Sequence, residues 1–145
     1  QMQTAAEAKP LLDRAYALWV NDSFWFNPLG KFFDPGVVPK VVTVPGEGEA
    51  LLITFTQNGL TPGDSYLWLL DASGRPRGWR MWTKIPLDGA AVTWQGWTPL
   101  ATGALVSTRH EMFGLGFDLG DVAGAASLPE LLAGAGDPFA WCKDR

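Results

Sequence analysis

The chain has 145 residues, of which 47% are hydrophobic and 18% charged, with a net charge of −4. A chain of this length suits one domain, able to bury about 68–70% of its unfolded surface, and the composition excludes a disordered or fibrous protein. The low pI of about 4.8, with no basic group beyond the scattered Arg75, Arg77, Arg80 and Lys84, argues against a nucleic-acid partner.

The first predicted element is a helix over Pro10–Val20. Leu12, Ala15, Tyr16 and Trp19 recur at helical spacing and form one apolar stripe, and Pro10 suits a first helical turn. Asn21-Asp22-Ser23 is expected to break the helix, leaving Phe24–Pro28 as an aromatic, non-helical segment. Asn21-Asp22-Ser23 also satisfies the N-x-S glycosylation pattern, but it reads as a helix stop.

From residue 37 the pattern turns to strands. Val37–Val44 is valine-rich, and Pro39 marks it as an edge or irregular strand. Ala50–Thr56 is the next strand, and Thr61-Pro62-Gly63-Asp64 has the Pro-Gly centre of a type II turn. Ser65–Asp71 and Arg77–Lys84 form a hairpin about Ala72-Ser73-Gly74-Arg75. Ala90–Trp97, Gly103–His110 and Met112–Leu119 follow, and Asp121–Ser127 offers one more strand. Residues 128–145 read as an irregular tail with a short helix at Pro129–Ala133. One helix followed by about seven antiparallel strands, without βαβ alternation, predicts a mainly β (α+β) domain spanning 1–145. Seventeen Gly and eleven Pro supply the many turns such a fold needs.

Eight tryptophans are the strongest chemical signal. If the hairpin closes about residues 73 and 74, Trp68 faces Trp79 and Tyr66 faces Met81 on one side of the sheet, with Leu67 and Arg80 on the other. Two readings stand: the aromatic face packs beneath the helix, or it lines an apolar small-molecule pocket. On the second reading the pocket residues are Tyr66, Trp68, Trp79, Met81 and Trp94, with Tyr16 and Trp19 contributed by the helix acting as a lid.

Catalytic signals are weak. His110 is the sole histidine, and Ser107 is not placed to serve as its nucleophile. Gly114–Gly120 mimics a dinucleotide loop but has one residue too many and no following helix. Scattered acids and one histidine offer no metal spacing, and the single Cys142 excludes an intrachain disulfide or a cysteine metal cluster. No catalytic residue, metal or cofactor is therefore expected, and no role is assigned to Cys142. No apolar run approaches the ~20 residues of a membrane-spanning helix. Gln1-Met2-Gln3 lacks the basic and apolar regions of a signal peptide, which leaves a cytoplasmic chain and an already processed one both open.

Three stretches in order carry a family resemblance: Asn21–Trp25, Lys31-Phe32-Phe33-Asp34-Pro35-Gly36-Val37, and Gly59-Leu60-Thr61-Pro62-Gly63-Asp64-Ser65-Tyr66. Trp79, Trp94–Trp97 and Gly103-Ala104 fit the same pattern. Over residues 12–122 the chain resembles an uncharacterised bacterial envelope branch of the LolA/LolB-like lipoprotein carriers. The resemblance implies a curved, unclosed half-barrel whose hollow holds acyl chains, in the periplasm or cell envelope. It also implies that the N-terminal strands of the family are missing here. The expected function is non-enzymatic binding of an acyl chain or similar apolar ligand. The alternatives are an accessory subunit docking onto a larger envelope assembly and, more weakly, a His110-dependent enzyme. The open sheet edge is expected to be covered by a second copy, a protein partner or a retained N-terminal fragment.

Overall fold

The computed structural model describes residues 5–57, 60–83, 89–137 and 140. Helix α1 runs over Ala5–Phe26, and a single 3-10 turn, Pro28–Lys31, leads into the sheet. The helix is longer at both ends than its periodicity indicates. Pro10 lies inside it rather than in its first turn. At the other end Asn21-Asp22-Ser23 does not stop it: Ser23 Oγ donates to the Val20 carbonyl, and Asn27 N–H continues the helical ladder to Ser23 O at 2.8 Å. A hydroxyl satisfied by its own helix loses the competing turn that makes Ser a breaker. The packing of Phe24 and Trp25 then holds the last turn in place.

β1 (Val37–Val44) and β2 (Gly48–Phe55) form the first hairpin, in full register from Val37 opposite Phe55 to Val44 opposite Gly48. Gly36 accepts the Thr56 N–H, so the even-numbered residues of β1 bond to β2 and the odd ones turn their backbone outward. Pro39 therefore sits where the pairing needs no N–H, as befits an edge strand. Gly36 itself has φ +86°, and a Cβ there would meet the Gln57 carbonyl oxygen at 2.7 Å. The predicted type II turn is present, with Gly63 at φ +103° and Asp64 N–H donating to Thr61 O.

β3 (Ser65–Leu70) and β4 (Pro76–Trp82) pair as the alternation requires: Trp68 opposite Trp79, Tyr66 opposite Met81, Leu67 opposite Arg80. Asp71 closes their turn, its Oδ1 accepting from the Ser73 hydroxyl and from the Ser73 and Arg75 N–H groups. Those bonds, the Ser73 hydroxyl first, hold its carboxyl below the usual carboxylate range. Lys84, the predicted end of this strand, lies outside the described residues.

The predicted strand Ala90–Trp97 is two strands, β5 (Ala90–Thr93) and β6 (Gln95–Pro99), interrupted at Trp94, whose N–H donates to Arg77 O. Both pair with β7 (Leu105–Met112), and β8 (Leu115–Asp118) pairs with the other side of β7. The β7–β8 turn lies at Phe113-Gly114 rather than directly after His110. The sheet thus has eight strands, curved and unclosed, with β1 at one margin. Asp121–Ser127 forms no strand; α2 (Leu128–Leu131) follows it, capped by Ser127.

The pairings sort side chains onto two faces. Ile53, Trp68, Trp79, Met81, Ala90 and Val92 make the main core on the inner face, beneath Phe24, Trp25 and Phe32. Ala50, Leu67 and Leu69 form a smaller outer cluster with Val42, Val44 and Leu52. Trp68 and Trp79 are each 1% exposed and meet edge to face, 4.8 Å between centroids. Rings at that distance add about 0.5–1.5 kcal/mol per pair beyond the area they bury.

The helix docks differently from the expected stripe. Leu12 is 65% exposed, Tyr16 51% and Trp19 59%, and Ala15 is exposed too. The side chains that bury the helix are Phe24 and Trp25, in its last turn. Phe24 lies 4.8 Å from Tyr66 and 5.4 Å from Trp79, and Trp25 lies 5.2 Å from Trp79 and 5.1 Å from Phe117. Anchored at its end, the helix rests only its final turn on the sheet.

Candidate functional site

Between the second half of α1, the segment 31–37 and the inner face of the sheet lies an open cleft of about 480 Å³. Tyr16, Trp19, Tyr66, Trp79 and Met81, all predicted pocket residues, line it. Trp79 forms the floor, since it is almost wholly buried. Trp68 and Trp94, also predicted as pocket wall, do not line the cleft. They lie beneath it in the core, packed 5.0 Å from each other and 4.8 and 5.0 Å from Trp79. Alternation places a residue on a face but does not say whether another ring covers it, and here Phe32 packs over Trp68.

The cleft draws on residues the periodicity did not single out. Phe24 comes from α1, Phe55 from β2, Leu60 from the loop before β3 and Met112 from β7. Phe24 carried a sequence signal, as part of the aromatic run Phe24-Trp25-Phe26, but the assumed helix break hid its position. Leu60, on the loop before β3, and Met112, at the end of β7, line the cleft without a local signal in the sequence.

Polar groups are few. Lys31, Asp34, Gln57, Thr61, Asp64 and Thr83 line the cleft beside Asn21 of the helix. The Tyr66 hydroxyl has its pKa pushed above the ordinary tyrosine value, first by burial and then by the Asp64 charge, so it stays neutral. The indole N–H groups of Trp68, Trp79 and Trp94 are buried with no hydrogen-bond partner among the described residues. Each is packed within a stack of rings, where edge-on contact presents the positive ring edge to a neighbouring π face.

His110 lies within β7, fully buried between Trp25, Trp94 and Phe117. Its Nδ1–H donates to the Thr93 carbonyl at 3.1 Å, and Nε2 makes no hydrogen bond of regular geometry. Burial pushes its pKa below the ordinary value, outweighing the Thr93 and Trp25 carbonyls and the Asp118 carboxylate, which favour the cation. The Ser107 hydroxyl donates to Gln95 O at 2.6 Å, so it is engaged away from the imidazole. His110 does not line the cleft.

Among the described residues no three His, Cys, Asp or Glu side chains converge as metal ligands would, and no helix is long and apolar enough to cross a membrane. Cys142 lies outside the described residues. No protein-family model, curated protein or solved structure matches this chain.

Proposed function

We propose that the chain is a non-enzymatic binding domain that holds an acyl chain or a similar apolar ligand in the cleft between α1 and the inner sheet face. The observation that carries this reading is the cleft's lining: Phe24, Phe55, Tyr66, Trp79, Met81 and Met112 form an apolar, largely aromatic trough that opens to solvent beside Tyr16 and Trp19. A concave apolar surface with a few polar groups at its rim is the usual make-up of a small-molecule site. On this reading the chain is a LolA/LolB-like carrier domain of the bacterial periplasm or envelope, as its sequence resemblance implies.

Native mass spectrometry of the purified protein tests the proposal. Retained lipid or fatty acid, displaced by a competing alkyl chain, supports it. A protein that carries no ligand and takes up none of a series of long-chain amphiphiles defeats it.

A second reading, an accessory subunit, is favoured by one observation: Leu11, Leu12 and Leu18 of α1 and Val38 and Val41 of β1 are more than half exposed. An edge strand with free backbone groups is also a template for a further strand. A second copy, a separate partner or a retained N-terminal fragment adding to β1 would appear in the same spectrum as a stoichiometric complex.

A further inference from the structure

The phenol ring of Tyr66 is gripped on three sides. It lies 4.8 Å from Phe24, 5.1 Å from Trp79 and 5.9 Å from Phe55, the last two edge to face. β3 supplies the residue, opposite Met81 of β4, and its side chain lines the cleft. A ring packed by three others keeps one orientation, so its hydroxyl is fixed in place before any ligand arrives. Among the described residues that hydroxyl makes no hydrogen bond. Nor is it sealed in: the enclosed polar atoms without a partner are the indole nitrogens of Trp68, Trp79 and Trp94 and His110 Nε2. The phenol oxygen therefore faces the open space of the cleft.

A ligand that fills the cleft displaces water from this hydroxyl and must supply an acceptor itself, or leave the donor unpaired among apolar rings. Burial, and after it the Asp64 charge, raises the Tyr66 pKa, so the group is a neutral O–H donor. The same two effects disfavour an ionised carboxylate at this position. We propose that the Tyr66 hydroxyl donates to a neutral carbonyl of the ligand, as in an acyl ester, and so selects such chains over plain hydrocarbons and free carboxylates. The alkyl part then lies along Phe24, Phe55 and Met81, which line the same cleft. This rests on the proposed function, that the cleft takes an apolar chain at all.

The test uses three nine-carbon probes: methyl octanoate, nonane and nonanoate. Wild type and Y66F are titrated with each below its solubility limit, and tryptophan fluorescence reads the affinity. Y66F keeps the ring and deletes only the donor, so the ratio of wild-type to variant affinity cancels each probe's own hydrophobicity. Methyl octanoate is expected to bind Y66F about three- to tenfold more weakly than wild type. Nonane and nonanoate are expected to bind the two proteins equally. The same change for all three probes, or no change for any, overturns the carbonyl selectivity and leaves the proposed function standing. A loss for nonanoate matching that for the ester overturns the preference for a neutral group. Binding of no probe by the wild type overturns both.

Thermal melts followed by circular dichroism verify that Y66F folds. Infrared spectroscopy adds a reading that packing alone does not move, because a hydrogen bond weakens the ester C=O bond. With the carbonyl carbon isotope-labelled, methyl octanoate is expected to show a lower stretching frequency bound to wild type than dissolved in hexane. Y66F is expected to restore the higher value. A frequency in the wild-type complex equal to that in hexane overturns the inference without recourse to the variant.

Discussion

The last turn of α1 and the turns before it have similar apolar content and opposite fates. Phe24 and Trp25 are packed among Phe55, Tyr66, Trp79, His110 and Phe117, whereas Leu11, Leu12, Tyr16, Leu18 and Trp19 each leave more than half of their surface exposed. Both regions lie on one continuous helix. The difference teaches that helical periodicity identifies a face able to be buried, while the point where the helix meets the sheet decides which residues are buried. Only ten residues, 27–36, join α1 to β1, and a 3-10 turn occupies part of them. The helix end is thereby held over the inner face, and its earlier turns become one wall of an open cleft.

The largest effect is expected at the floor that both halves of the helix share. Trp79 touches both Phe24 and Trp25, and Trp79→Ala should destabilise the protein by about 3–5 kcal/mol, the cost of truncating a buried large aromatic. Urea unfolding measures this, and a near-neutral result would remove the floor from the account. Next in size, Trp25→Ala should cost about 2–3 kcal/mol, less than a full core truncation because the ring is half-buried. An unfolding midpoint equal to that of the wild type would show that the last turn of α1 does not hold the helix.

A smaller effect comes from His110, which lies against Trp25. Its folded-state pKa is depressed, so between that value and the ordinary histidine value near 6.5 the unfolded chain binds more protons than the folded one. Stability is therefore full above about pH 6.5 and falls as the pH drops below it. Melting temperatures recorded across this range should decline toward acid, and His110→Gln should flatten that part of the profile. A wild-type melting temperature unchanged across the window would mean that the imidazole is not held neutral.

The smallest effect is expected on the exposed half of the helix. Trp19→Ala should change stability by no more than about 0.5 kcal/mol, as surface substitutions do. A loss as large as that of Trp25→Ala would erase the contrast between the two halves of α1.

Much of the sheet is legible in the residues themselves. The strict alternation through Tyr66, Trp68 and Leu70 and the turn at Ser73-Gly74 specify which side chains face each other across the central hairpin, because a shift of one residue would turn every tryptophan to the other face. Pro39 likewise marks β1 as an edge before any pairing is known. The break at Trp94 is not legible, because Ala90–Trp97 reads as one uninterrupted strand. The absence of a strand at Asp121–Ser127 is not legible either, since no local signal reports whether a pairing partner is at hand.

A mainly β chain led by one helix, with an aromatic inner face and Trp68 facing Trp79, is already written in the order of the residues. These follow from period-two and helical repeats and from turn chemistry, which are local properties. Only the tertiary structure decided that the helix continues through Asn21-Asp22-Ser23 and that it docks by Phe24 and Trp25. It also decided that Trp68 and Trp94 lie under the cleft while Phe55, Leu60 and Met112 line it. Those outcomes depend on the curvature of the sheet and on which rings cover which. Burial is settled by neighbours distant in the chain, and no short window of residues contains them.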